Sequence, residues 1–416
     1  MLIKAAASKY NSIAIIGGGI GGLTAANALL QKRITDRVTV YEQAPHFIPT
    51  AGAGFGLSPN GQICLRSIGI DGFKDFCLPF NHMKRIDLSG RNVVCESNAL
   101  QQIRERHGFG IAGCLRGDLV DLEGELKYSQ RLIGINPSAD KVELRFESGD
   151  EDVVDLVIGS DGINSSVARL LDIDDQTPPI YSGANIFYGK ILNPDENEVV
   201  SNHPVFNEGS VVNGPFTGEF IGFHAGSGAS KTFIWANTYT SSSPPPKRDD
   251  WNHGNILELE AILAKYPRSH PIHAFAQTTH ESDLLHFVLF FRHHKNTWSK
   301  GRVTLLGDAC HATLPYVAQG ANQAIEDAVY LADCLKRHDG YNEAYTDYYD
   351  KRFPRTKKVV KFAGFMHKLY HSENWIVHKA LDFLLGNAIK GGFVLKRIEQ
   401  EIIDECPVKN YRQYSP

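Results

Sequence analysis

The sequence predicts an α/β protein in which a Rossmann-like domain carries an inserted β-rich domain and is followed by helices. A strand, a glycine-rich turn, a helix and a second strand follow one another over residues 12–42. A similar strand–loop–helix pattern recurs near residues 303–335. Between about residues 178 and 290 the chain has short runs rich in Phe, Val, Thr and Gly, which are typical of strands. Nucleotide-binding elements at both ends therefore flank a different, mainly β module.

Composition and charge limit the class of protein. The chain has 416 residues, 42% hydrophobic and 22% charged, as expected of a globular protein with two or more domains. Its formal net charge of −4 argues against nucleic acid as a partner. The seven cysteines are scattered without a CxxC pair, which favours a reducing compartment over a disulfide framework. We therefore expect a cytoplasmic protein, and the sequence leaves its oligomeric state open.

No targeting or membrane-spanning segment is expected. Residues 1–11 hold no apolar core long enough for a signal peptide. The most membrane-like stretch, residues 375–395, is interrupted by charged residues and three glycines. Helices that pack on the protein are therefore favoured there over contact with a membrane.

Hydrophobic patterns predict the individual elements. Short apolar or β-branched runs predict the strands Ile13–Ile16, Val38–Tyr41, Val153–Ile158 and Val303–Leu306. Helical periodicity predicts helices at Leu23–Leu30, near Ile256–Lys265 as the one helix of the β-rich module, and from Gly320 onward.

The first motif is a dinucleotide-binding turn. The pattern G-x-G-x-x-G occurs at Gly17, Gly19 and Gly22, directly after a strand and at the start of a helix. Gly17 permits the tight turn, Gly19 lets a diphosphate approach the backbone, and Gly22 allows close helix–strand packing. The diphosphate then lies at the positive end of the helix. Glu42 ends the second strand, where an acid can bind both ribose hydroxyls and would repel a 2′-phosphate, so FAD or NAD suits the site better than NADP.

The second motif, from Leu306 to Gln323, again links a strand to a helix. Asp308, at the strand end, can accept hydrogen bonds from a polyol such as a ribityl chain. The backbone amides at the helix start, Gly320, Ala321 and Asn322, can face the N1/O2 edge of a flavin and stabilise its anionic reduced form. Because NAD has neither a ribityl chain nor such an anion, this motif favours FAD.

The segment Gly301–His311, with Pro315 and with Ile325-Glu326-Asp327-Ala328, closely resembles the class A FAD-dependent monooxygenases, the family of para-hydroxybenzoate hydroxylase. Within that family it is similar to the salicylate and hydroxynicotinate hydroxylase branch. The likeness runs from about residue 12 to residue 340. It implies a Rossmann-like FAD-binding domain with an inserted β-rich substrate domain, and it places Pro315 in the FAD site.

Three further segments carry the resemblance. Residues 51–54, followed by Ser-Pro-Asn-Gly at 58–61, resemble the family's loop beside the isoalloxazine, which implies a cofactor contact at Gly54. The segment Leu115–Leu119 resembles a helix start whose arginine, here Arg116, reaches the FAD. Gly159-Ser160-Asp161-Gly162 resembles the shared FAD/NAD(P)H motif, which implies a cofactor role for Asp161.

The chain departs from the family pattern at three positions. The shared motif usually carries an arginine where this chain has Ala168, and Arg169 follows, so the NAD(P)H contact of that arginine is in doubt. Gly56 stands where hydroxynicotinate-type members have a histidine, and Phe223 stands where they have a substrate-side tyrosine. Either the substrate lacks a phenol or pyridinol anion, or His224 serves it as the candidate catalytic base. For His224 itself, a structural histidine is favoured over a catalytic base.

The resemblance implies an enzyme that consumes NADH or NADPH and inserts one oxygen atom of O₂ into a small, aromatic substrate through a flavin C4a-hydroperoxide. The chain has a single G-x-G-x-x-G pattern, so the nicotinamide nucleotide is expected to dock transiently. Three alternatives stay open. They are an epoxidase or polyketide- or drug-oxidising enzyme of the same fold, a flavin dehydrogenase or reductase, and a non-enzymatic protein stabilised by FAD. The sequence does not select the substrate or the nicotinamide nucleotide.

Other candidate sites are weaker. Cys310 and His311 are sequence neighbours whose side chains normally diverge, which disfavours a catalytic dyad. The remaining histidines lack partners at metal-ligand spacing, so no metal is expected. A basic run is most simply a solvated helix face; its members are Lys351, Arg352, Arg355, Lys357, Lys358 and Lys361.

These patterns predict three regions. Residues 10–75, 103–176 and 286–340 form a discontinuous FAD-binding domain. Residues 76–102 and 177–285 form the substrate domain, and residues 341–416 form a C-terminal helical region.

Overall fold

In a computed structural model of the chain, the described residues are 8–46, 54–87, 89–119, 124–173, 177–216, 218–245, 253–372 and 392–408, with positions 374, 376, 377, 379, 380 and 383. They form the predicted α/β architecture: a largely parallel sheet with flanking helices, a second and mostly antiparallel sheet, and long helices towards the C-terminus. The predicted fold class is confirmed.

The strands, in chain order, are β1 (Ile13–Ile16), β2 (Val38–Tyr41), β3 (Phe55–Leu57), β4 (Leu78–Pro79), β5 (His82–Ile86), β6 (Val93–Ser97), β7 (Ala112–Cys114), β8 (Glu125–Lys127), β9 (Leu132–Pro137), β10 (Val142–Phe146), β11 (Glu151–Val154), β12 (Leu156–Gly159), β13 (Ile180–Leu192), β14 (Ser210–Phe216), β15 (Gly218–Ala225), β16 (Thr232–Thr240), β17 (Leu284–Phe291), β18 (Ser299–Lys300) and β19 (Val303–Leu305).

The α-helices are α1 (Ile20–Gln31), α2 (Pro59–Ser67), α3 (Phe73–Phe76), α4 (Ala99–His107), α5 (Ser166–Leu170), α6 (Glu198–Ser201), α7 (Ile256–Leu263), α8 (Ile272–Thr278), α9 (Asp308–His311), α10 (Gly320–Arg337), α11 (Tyr341–Tyr370) and α12 (Phe393–Arg397). Short 3-10 turns span Arg116–Leu119, Gly228–Ser230, Glu281–Asp283 and Pro315–Val317, and a π-helical stretch spans Ile398–Asp404.

The nucleotide-type sheet has six strands in the order β18-β19-β12-β1-β2-β8. Strand β1 pairs in parallel with β2 and β12, and β12 pairs in parallel with β19. The carboxyl ends of β1 and β19 therefore lie at the same edge of the sheet, which brings the two sequence motifs to one end of the domain. Both β1 and β2 are fully buried, as expected of central parallel strands.

The inserted module is built on a seven-stranded sheet in the order β17-β13-β16-β15-β14-β5-β6. Its strands lie almost entirely within the segments predicted as the substrate domain, although the domain boundaries themselves stay predictions. The structure differs from the sequence prediction in the helices of this module, because α6 and α8 accompany the expected α7. Helices α6 and α8 have only four and seven residues, so they are too short to give a clear helical period.

The predicted strand Val153–Ile158 is wrong as a single element. Strand β11 pairs with β10 in a separate three-stranded sheet, whereas β12 joins the six-stranded sheet. Asp155 lies between them, and its Oδ2 atom accepts hydrogen bonds from the backbone amides of Asn11 at 2.7 Å and Ser12 at 3.0 Å. This side chain therefore anchors the point at which the chain passes from one sheet to the other.

The expectation of no disulfide also differs from the structure. Cys77 and Cys114 are joined, with their Cα atoms 4.7 Å apart. Strand β4 pairs with β7 so that Leu78 lies opposite Gly113, which brings the preceding Cys77 beside Cys114. The other five cysteines are buried and form no disulfide.

The two faces of the seven-stranded sheet pack against different cores. Phe223 and Ile234 belong to the large core that contains β1 and β12. Phe220, Phe233 and Trp235, one residue out of phase, belong to a second core with α7 and α8. Because successive side chains of a strand point to opposite faces, each strand contributes to both. No helix among the described residues is long and apolar enough to span a bilayer.

His224 lies on the face of the second core. Its ring makes an edge contact with Phe233 at a centroid distance of 5.1 Å, and only 4% of the residue is exposed. Phe223, its neighbour in sequence, points to the opposite face and contacts Phe80 at 5.7 Å. This position favours the structural alternative for His224 over the catalytic one.

We expect His224→Phe to retain turnover and to reduce acid destabilisation. Burial lowers the pKa of His224 to about 4 from its ordinary value of 6.5. The unfolded chain therefore takes up a proton between these two pH values that the folded chain does not, so stability falls as the pH falls through this window. The full contribution is about 3 kcal/mol.

Urea unfolding of the wild type, of His224→Phe and of the exposed control His46→Phe should be followed from pH 7 to pH 4. The dependence of the unfolding free energy on pH should become weaker in His224→Phe and stay unchanged in His46→Phe. A turnover number that collapses in His224→Phe while its stability is unchanged would restore the catalytic role.

Candidate active site

The glycine turn after β1 is closed by contacts that admit no side chain. Gly17 has φ +107°, and a Cβ atom there would lie 2.5 Å from the carbonyl oxygen of Ser160. A Cβ atom on Gly22 would lie 2.1 Å from the carbonyl oxygen of Gly17. Helix α1 has Gly19 as its N-cap residue, with no side chain capping its first amides. These amides can therefore donate hydrogen bonds to an anionic group such as a diphosphate.

Glu42 lies beside this turn. Its Oε2 atom accepts a hydrogen bond from the amide of Gly18 at 2.8 Å, and its Oε1 atom accepts one from Ala44 at 2.9 Å. The carboxylate therefore links the end of β2 to the glycine turn. Each oxygen keeps a lone pair, which suits the acceptance of further hydrogen bonds from ribose hydroxyls.

Arg116 and Gly54 border the same region. The Nη2 atom of Arg116 lies 4.0 Å from the place of a Cβ atom on Gly19, so the guanidinium lies over the glycine turn. A Cβ atom on Gly54 would lie 3.1 Å from Cγ1 of Ile234 and 3.3 Å from the carbonyl oxygen of Cys114. Gly54 therefore lies in the narrow space between the seven-stranded sheet, which contains Ile234, and the three-stranded sheet of β3, β7 and β4, which contains Cys114. The preceding part of the predicted loop, residues 51–53, lies outside the described residues.

Asp161 caps a short helix and keeps one oxygen without a partner. Its Oδ2 atom accepts hydrogen bonds from the amides of Ser166 at 2.6 Å and Val167 at 3.1 Å, at the start of α5. Its Oδ1 atom is buried and has no hydrogen-bond partner among the described residues. Burial raises the pKa of this carboxyl group. The free oxygen is thus able to accept a hydrogen bond from a bound cofactor or an ordered water molecule.

The departure at Ala168 is also visible. Ala168 is buried, whereas Arg169 is exposed and its Nη2 atom donates to Oγ of Ser166 at 3.1 Å. The two residues therefore point in different directions.

Asp308 follows β19 and begins α9. Its side chain is accessible to solvent, yet the surrounding protein raises the pKa of its carboxyl group through burial. The carboxylate is therefore accessible at the strand end and able to accept hydrogen bonds from the hydroxyl groups of a polyol such as a ribityl chain.

The start of α10 is the second helix N-terminus at this edge. Pro315 begins a 3-10 turn, and α10 begins at Gly320 with no side chain capping its first amides. The backbone amides of Gly320 and Ala321 belong to the first turn of this helix, where no intrahelical acceptor is available to them. This end carries the positive pole of an 18-residue helix.

The side chain of Asn322 forms its hydrogen bonds with backbone atoms of the protein. Its Oδ1 atom accepts a hydrogen bond from the amide of Ser58 at 2.9 Å. Its Nδ2 atom donates to the carbonyl oxygens of Gly56 and Ala318, each at 2.9 Å. Asn322 therefore ties the loop before α2 to the start of α10, and only its backbone amide is available to a cofactor.

Helix α1 and helix α10 pack side by side. A Cβ atom on Gly21 would lie 2.7 Å from Cδ2 of Leu306 and 3.1 Å from Cβ of Ala324. The absence of a side chain at Gly21 thus lets the two helices approach closely. Their uncapped N-termini, which come from distant parts of the sequence, lie at the same edge of the sheet.

Behind α10 lies a buried network of charges that the sequence analysis missed. Asp327 accepts hydrogen bonds from the amide of Gly307 at 3.0 Å, from His311 Nε2 at 2.5 Å and from Arg352 Nε at 2.6 Å. Burial alone would raise the pKa of Asp327, but His311 and Arg352 lower it to about 2. Asp327 therefore fixes the backbone directly before Asp308.

Glu326 forms the other half of this network. It accepts hydrogen bonds from Nε and Nη2 of Arg355 at 2.6 and 2.5 Å, from Nη1 of Arg352 and from Nδ2 of Asn60 at 2.7 Å. Arg352 is 0% and Arg355 6% exposed, so the predicted solvated face is wrong for these two residues. The exposed lysines of the run, Lys351, Lys357, Lys358 and Lys361, follow the prediction. Helical spacing alone could not separate the two groups, but Glu326 and Asp327 were a signal for buried partners.

The side chains of Cys310, His311 and Asp327 converge within 4.8 Å of one another. The carboxylate of Asp327 is already occupied by three donors, and Cys310 Sγ donates to the carbonyl oxygen of Gly307 at 3.3 Å. Burial raises the pKa of the Cys310 thiol well above its ordinary value, which opposes a metal-binding thiolate. The three residues are thus accounted for as part of the charge network.

One face of the seven-stranded sheet packs against the large core that contains β1 and β12, and this face is largely apolar. Pairing places Asn213, Ile221, Ala236 and Tyr188 in one row across four strands. Ile221 and Tyr188 are partly buried and contact both the large core and a third cluster that contains Tyr316. The Oδ1 atom of Asn213 is buried without a hydrogen-bond partner among the described residues. This row is a wall suited to a flat apolar group with one donor.

The FAD binding domain family model matches residues 114–363, and a NAD(P)-binding Rossmann-like domain model matches residues 15–51. The 3-amino-4-hydroxybenzoate 2-monooxygenase PtmB3 of Streptomyces platensis is 30% identical over 372 residues, which cover 83% of this chain and 85% of that protein. The chain belongs to this family of FAD-dependent monooxygenases. The 6-hydroxynicotinate 3-monooxygenase of Pseudomonas fluorescens is 28% identical and covers 89% of this chain and 92% of its own.

Among solved structures, Klebsiella pneumoniae HpxO complexed with FAD and uric acid superposes with a TM-score of 0.80 at 22% identity, covering 95% of this chain and 97% of that chain. This likeness shows that the two proteins share a fold. Because it belongs to the family of FAD-dependent monooxygenases, this protein uses FAD as cofactor and NAD(P)H as co-substrate, and it inserts oxygen from O₂ into its substrate. The sequence-based predictions of family, enzyme class and cofactor are confirmed.

We expect Glu42→Ala and Asp308→Ala each to weaken FAD binding at least about tenfold. Each change removes charge-assisted hydrogen-bond acceptors, worth about 1.5–3 kcal/mol. Fluorescence titration of the apoprotein measures the dissociation constant, and Glu151→Ala, which removes an exposed carboxylate, is the control. An unchanged affinity in Asp308→Ala would show that this carboxylate does not hold the ribityl chain.

We expect Asp327→Asn to lower the free energy of unfolding by about 3–5 kcal/mol, because it leaves Arg352 buried without its full counter-charge. Asp333→Asn, on the same helix, removes a partly exposed ion pair with Lys32 and should cost less than about 1 kcal/mol. Urea unfolding of both variants compares the two sites. Equal losses would mean that the buried network has no special weight.

Proposed function

We propose that FAD lies across the edge where the two helix N-termini meet, with its diphosphate at the Gly17–Gly22 turn and its flavin at the start of α10. The observation that carries this proposal is the close packing of α1 on α10 through Gly21, which brings two uncapped helix starts together. Glu42 and Arg116 would hold the adenosine and diphosphate end. Asp308 would hold the ribityl chain, and Pro315 would border the flavin.

Asp161 and Gly54 complete the proposed cofactor site. The unpartnered Oδ1 atom of Asp161 lies beside the glycine turn, since Gly17 is in close approach to the Asp161 backbone. Gly54 lets the backbone lie close to Ile234 and Cys114, and we infer that this backbone borders the planar ring. When bound, FAD supplies the electron transfer and the oxygen activation, and the protein supplies the orientation and the electrostatics. The positive end of α10 would stabilise negative charge that develops on the reduced ring.

We infer that the substrate is a small, planar, electron-rich aromatic ring bound against the row of Asn213, Ile221, Ala236 and Tyr188. Apolar side chains on this face favour a flat ring and exclude water. The buried acceptor Oδ1 of Asn213 suits a hydroxyl or N–H donor on that ring. The relatives named for aminohydroxybenzoate and hydroxynicotinate support a hydroxylated aromatic substrate.

We expect the true substrate to accelerate reduction of the enzyme-bound FAD by NADH or NADPH. The chain carries one dinucleotide-binding turn, so we expect no dedicated binding domain for the nicotinamide nucleotide. Its transient contact with the flavin can then be controlled by the substrate. Stopped-flow reduction with and without candidate aromatic compounds identifies the compound that accelerates this step. Turnover of that compound under ¹⁸O₂ should place one labelled atom in the product.

A matched variant tests the substrate wall. Asn213→Leu removes the acceptor but keeps the branched heavy-atom skeleton of the side chain, so it should raise the KM for a hydroxylated substrate about tenfold and leave FAD affinity unchanged. Leu192→Asn, an exposed change on β13, is the control.

The ¹⁸O₂ experiment also tests the type of reaction. Product oxygen that comes from water would indicate a dehydrogenase-type reaction.

A further inference from the structure

Two buried cysteines from distant parts of the sequence lie beside each other. The Sγ atoms of Cys64 and Cys406 are 3.9 Å apart, although 342 positions separate the two residues in the chain. Cys64 is 0% exposed and Cys406 is 8% exposed. Neither takes part in the disulfide beside β4 and β7 or in the cofactor site proposed above.

Helix α2 presents Cys64 to the C-terminal part of the chain. Cys64 lies one turn after Asn60 on this helix. The Sγ atom of Cys406 contacts both the sulfur of Cys64 and, at 4.0 Å, the carbonyl oxygen of Asn60. Cys406 therefore lies over a single turn of α2. Both cysteines belong to the large core, so the surrounding packing limits how far their side chains can move apart.

Residues 398–406, which we call the C-terminal strap, are held at their first turn. The strap consists of the π-helical stretch Ile398–Asp404 and the two residues after it. Ile398 and Ile403 are buried in the large core. Glu399 pairs with Arg106 on α4 at 3.2 Å. Apolar packing and this ion pair thus fix the beginning of the strap.

The other end of the strap is tied to α11. Glu405, the residue before Cys406, pairs with Lys358 at 3.1 Å and with Arg355 at 3.5 Å. Because both ends of the strap are held, the sulfurs of Cys64 and Cys406 are kept close together in the folded protein. Two groups held in this way react far more readily than the same groups free in solution.

The two thiols differ in their access to a dissolved oxidant. Cys64 is fully enclosed, and this burial raises the pKa of its thiol well above the ordinary value, so the thiol stays protonated. The thiolate is the form of cysteine that reacts with peroxides, so Cys64 is not the first to react. Cys406 has the exposed edge of the pair, and an oxidant therefore meets Cys406 first.

We propose that Cys64 and Cys406 are a site of oxidative modification, at which hydrogen peroxide converts the two thiols into a disulfide. The thiolate of Cys406 attacks the O–O bond and becomes a sulfenic acid, and the second oxygen of the peroxide takes up a proton and leaves as water. The sulfur of Cys64 then displaces the hydroxyl group from Cys406. The proton of Cys64 joins this hydroxyl group, a second water leaves and the S–S bond forms. Two electrons pass from the thiols to the peroxide.

The established activity can supply the oxidant. O₂ that takes up two electrons and two protons from reduced FAD, when no substrate is bound, is released as hydrogen peroxide. The modification therefore needs no reactant beyond FAD, NAD(P)H and O₂. It also does not depend on the proposed substrate or on the proposed position of the flavin.

The disulfide would join α2 to the C-terminal strap. Helix α2 also carries Asn60, whose Nδ2 atom donates to Glu326 of the charge network at 2.7 Å. The cross-link would thus fasten the strap to the helix that this network holds. Because a cross-link between distant positions restricts the unfolded chain, oxidation should raise the midpoint of urea unfolding.

Mass analysis of the full-length, FAD-loaded enzyme tests the proposal without any turnover assay. The enzyme is treated with a graded series of hydrogen peroxide concentrations, then unfolded, alkylated at its remaining thiols and digested. The five cysteines that form no disulfide should lose two thiols, and one new pair of joined peptides should contain Cys64 and Cys406. A phosphine reductant should restore both thiols and return the midpoint of urea unfolding to its starting value.

Single variants separate the roles of the two sulfurs. Cys64→Ser should leave a sulfenic acid on Cys406, which dimedone traps, because the second sulfur is missing. Cys406→Ser should leave Cys64 unmodified, because Cys64 is enclosed and protonated. Cys334→Ser changes another fully buried cysteine, on α10, and is the matched control that should form the disulfide as the wild type does.

Three outcomes would contradict the proposal. They are a wild type in which Cys64 and Cys406 both stay reduced, a disulfide that joins either of them to another cysteine, and a pair that forms only when the enzyme is treated in urea. A dimedone label on Cys64 in Cys406→Ser would overturn the order of the two steps. Retained FAD absorbance before oxidation shows that each variant is folded.

Discussion

The position of the proposed cofactor site depends on one buried cluster of ion pairs, Glu326 and Asp327 with Arg352 and Arg355. Taking four charges out of water costs several kcal/mol each, and their attraction offsets this cost only where every donor and acceptor is satisfied. Here the requirement is largely met, because backbone, amide and imidazole partners complete the ion pairs. Removal of any one partner would leave an uncompensated charge, so the cluster holds its elements in one arrangement.

The arrangement that the cluster holds is the one that the proposed position of FAD requires. Through Gly307 it fixes the turn that presents Asp308, and through Asn60 it joins α2 to α10. The same helix α10 packs on α1 through Gly21, so the glycine turn and the Asp308 turn are held close to each other. Electrostatic stabilisation is effective only when dipoles are already oriented before charge develops. A rigid connection between the two helix starts provides that orientation.

The sequence predicted the parts of this structure that local patterns encode. Buried strands around the glycine turn, the helix after it, and the downstream turn have short-range signatures, and all were found. It did not predict features set by distant partners. Arg352 and Arg355 follow the same helical spacing as the solvated Lys357 and Lys358, and only Glu326 and Asp327, from another helix, decide which are buried. The contact of Cys77 with Cys114 likewise depends on the pairing of β4 with β7.

The inserted sheet shows how one scaffold can serve different substrates. Along β15, Ile221 and Phe223 point to the proposed substrate side, while Phe220 and His224 point into the second core. The two sets alternate, so a substitution at one set changes the wall against which a substrate lies and leaves the other core's packing intact. The charge network joins the helices α10 and α11 and includes no residue of this sheet. In the proposed site, the wall against which the substrate lies can therefore change without a change in the second core, and the strand period of two is the physical reason.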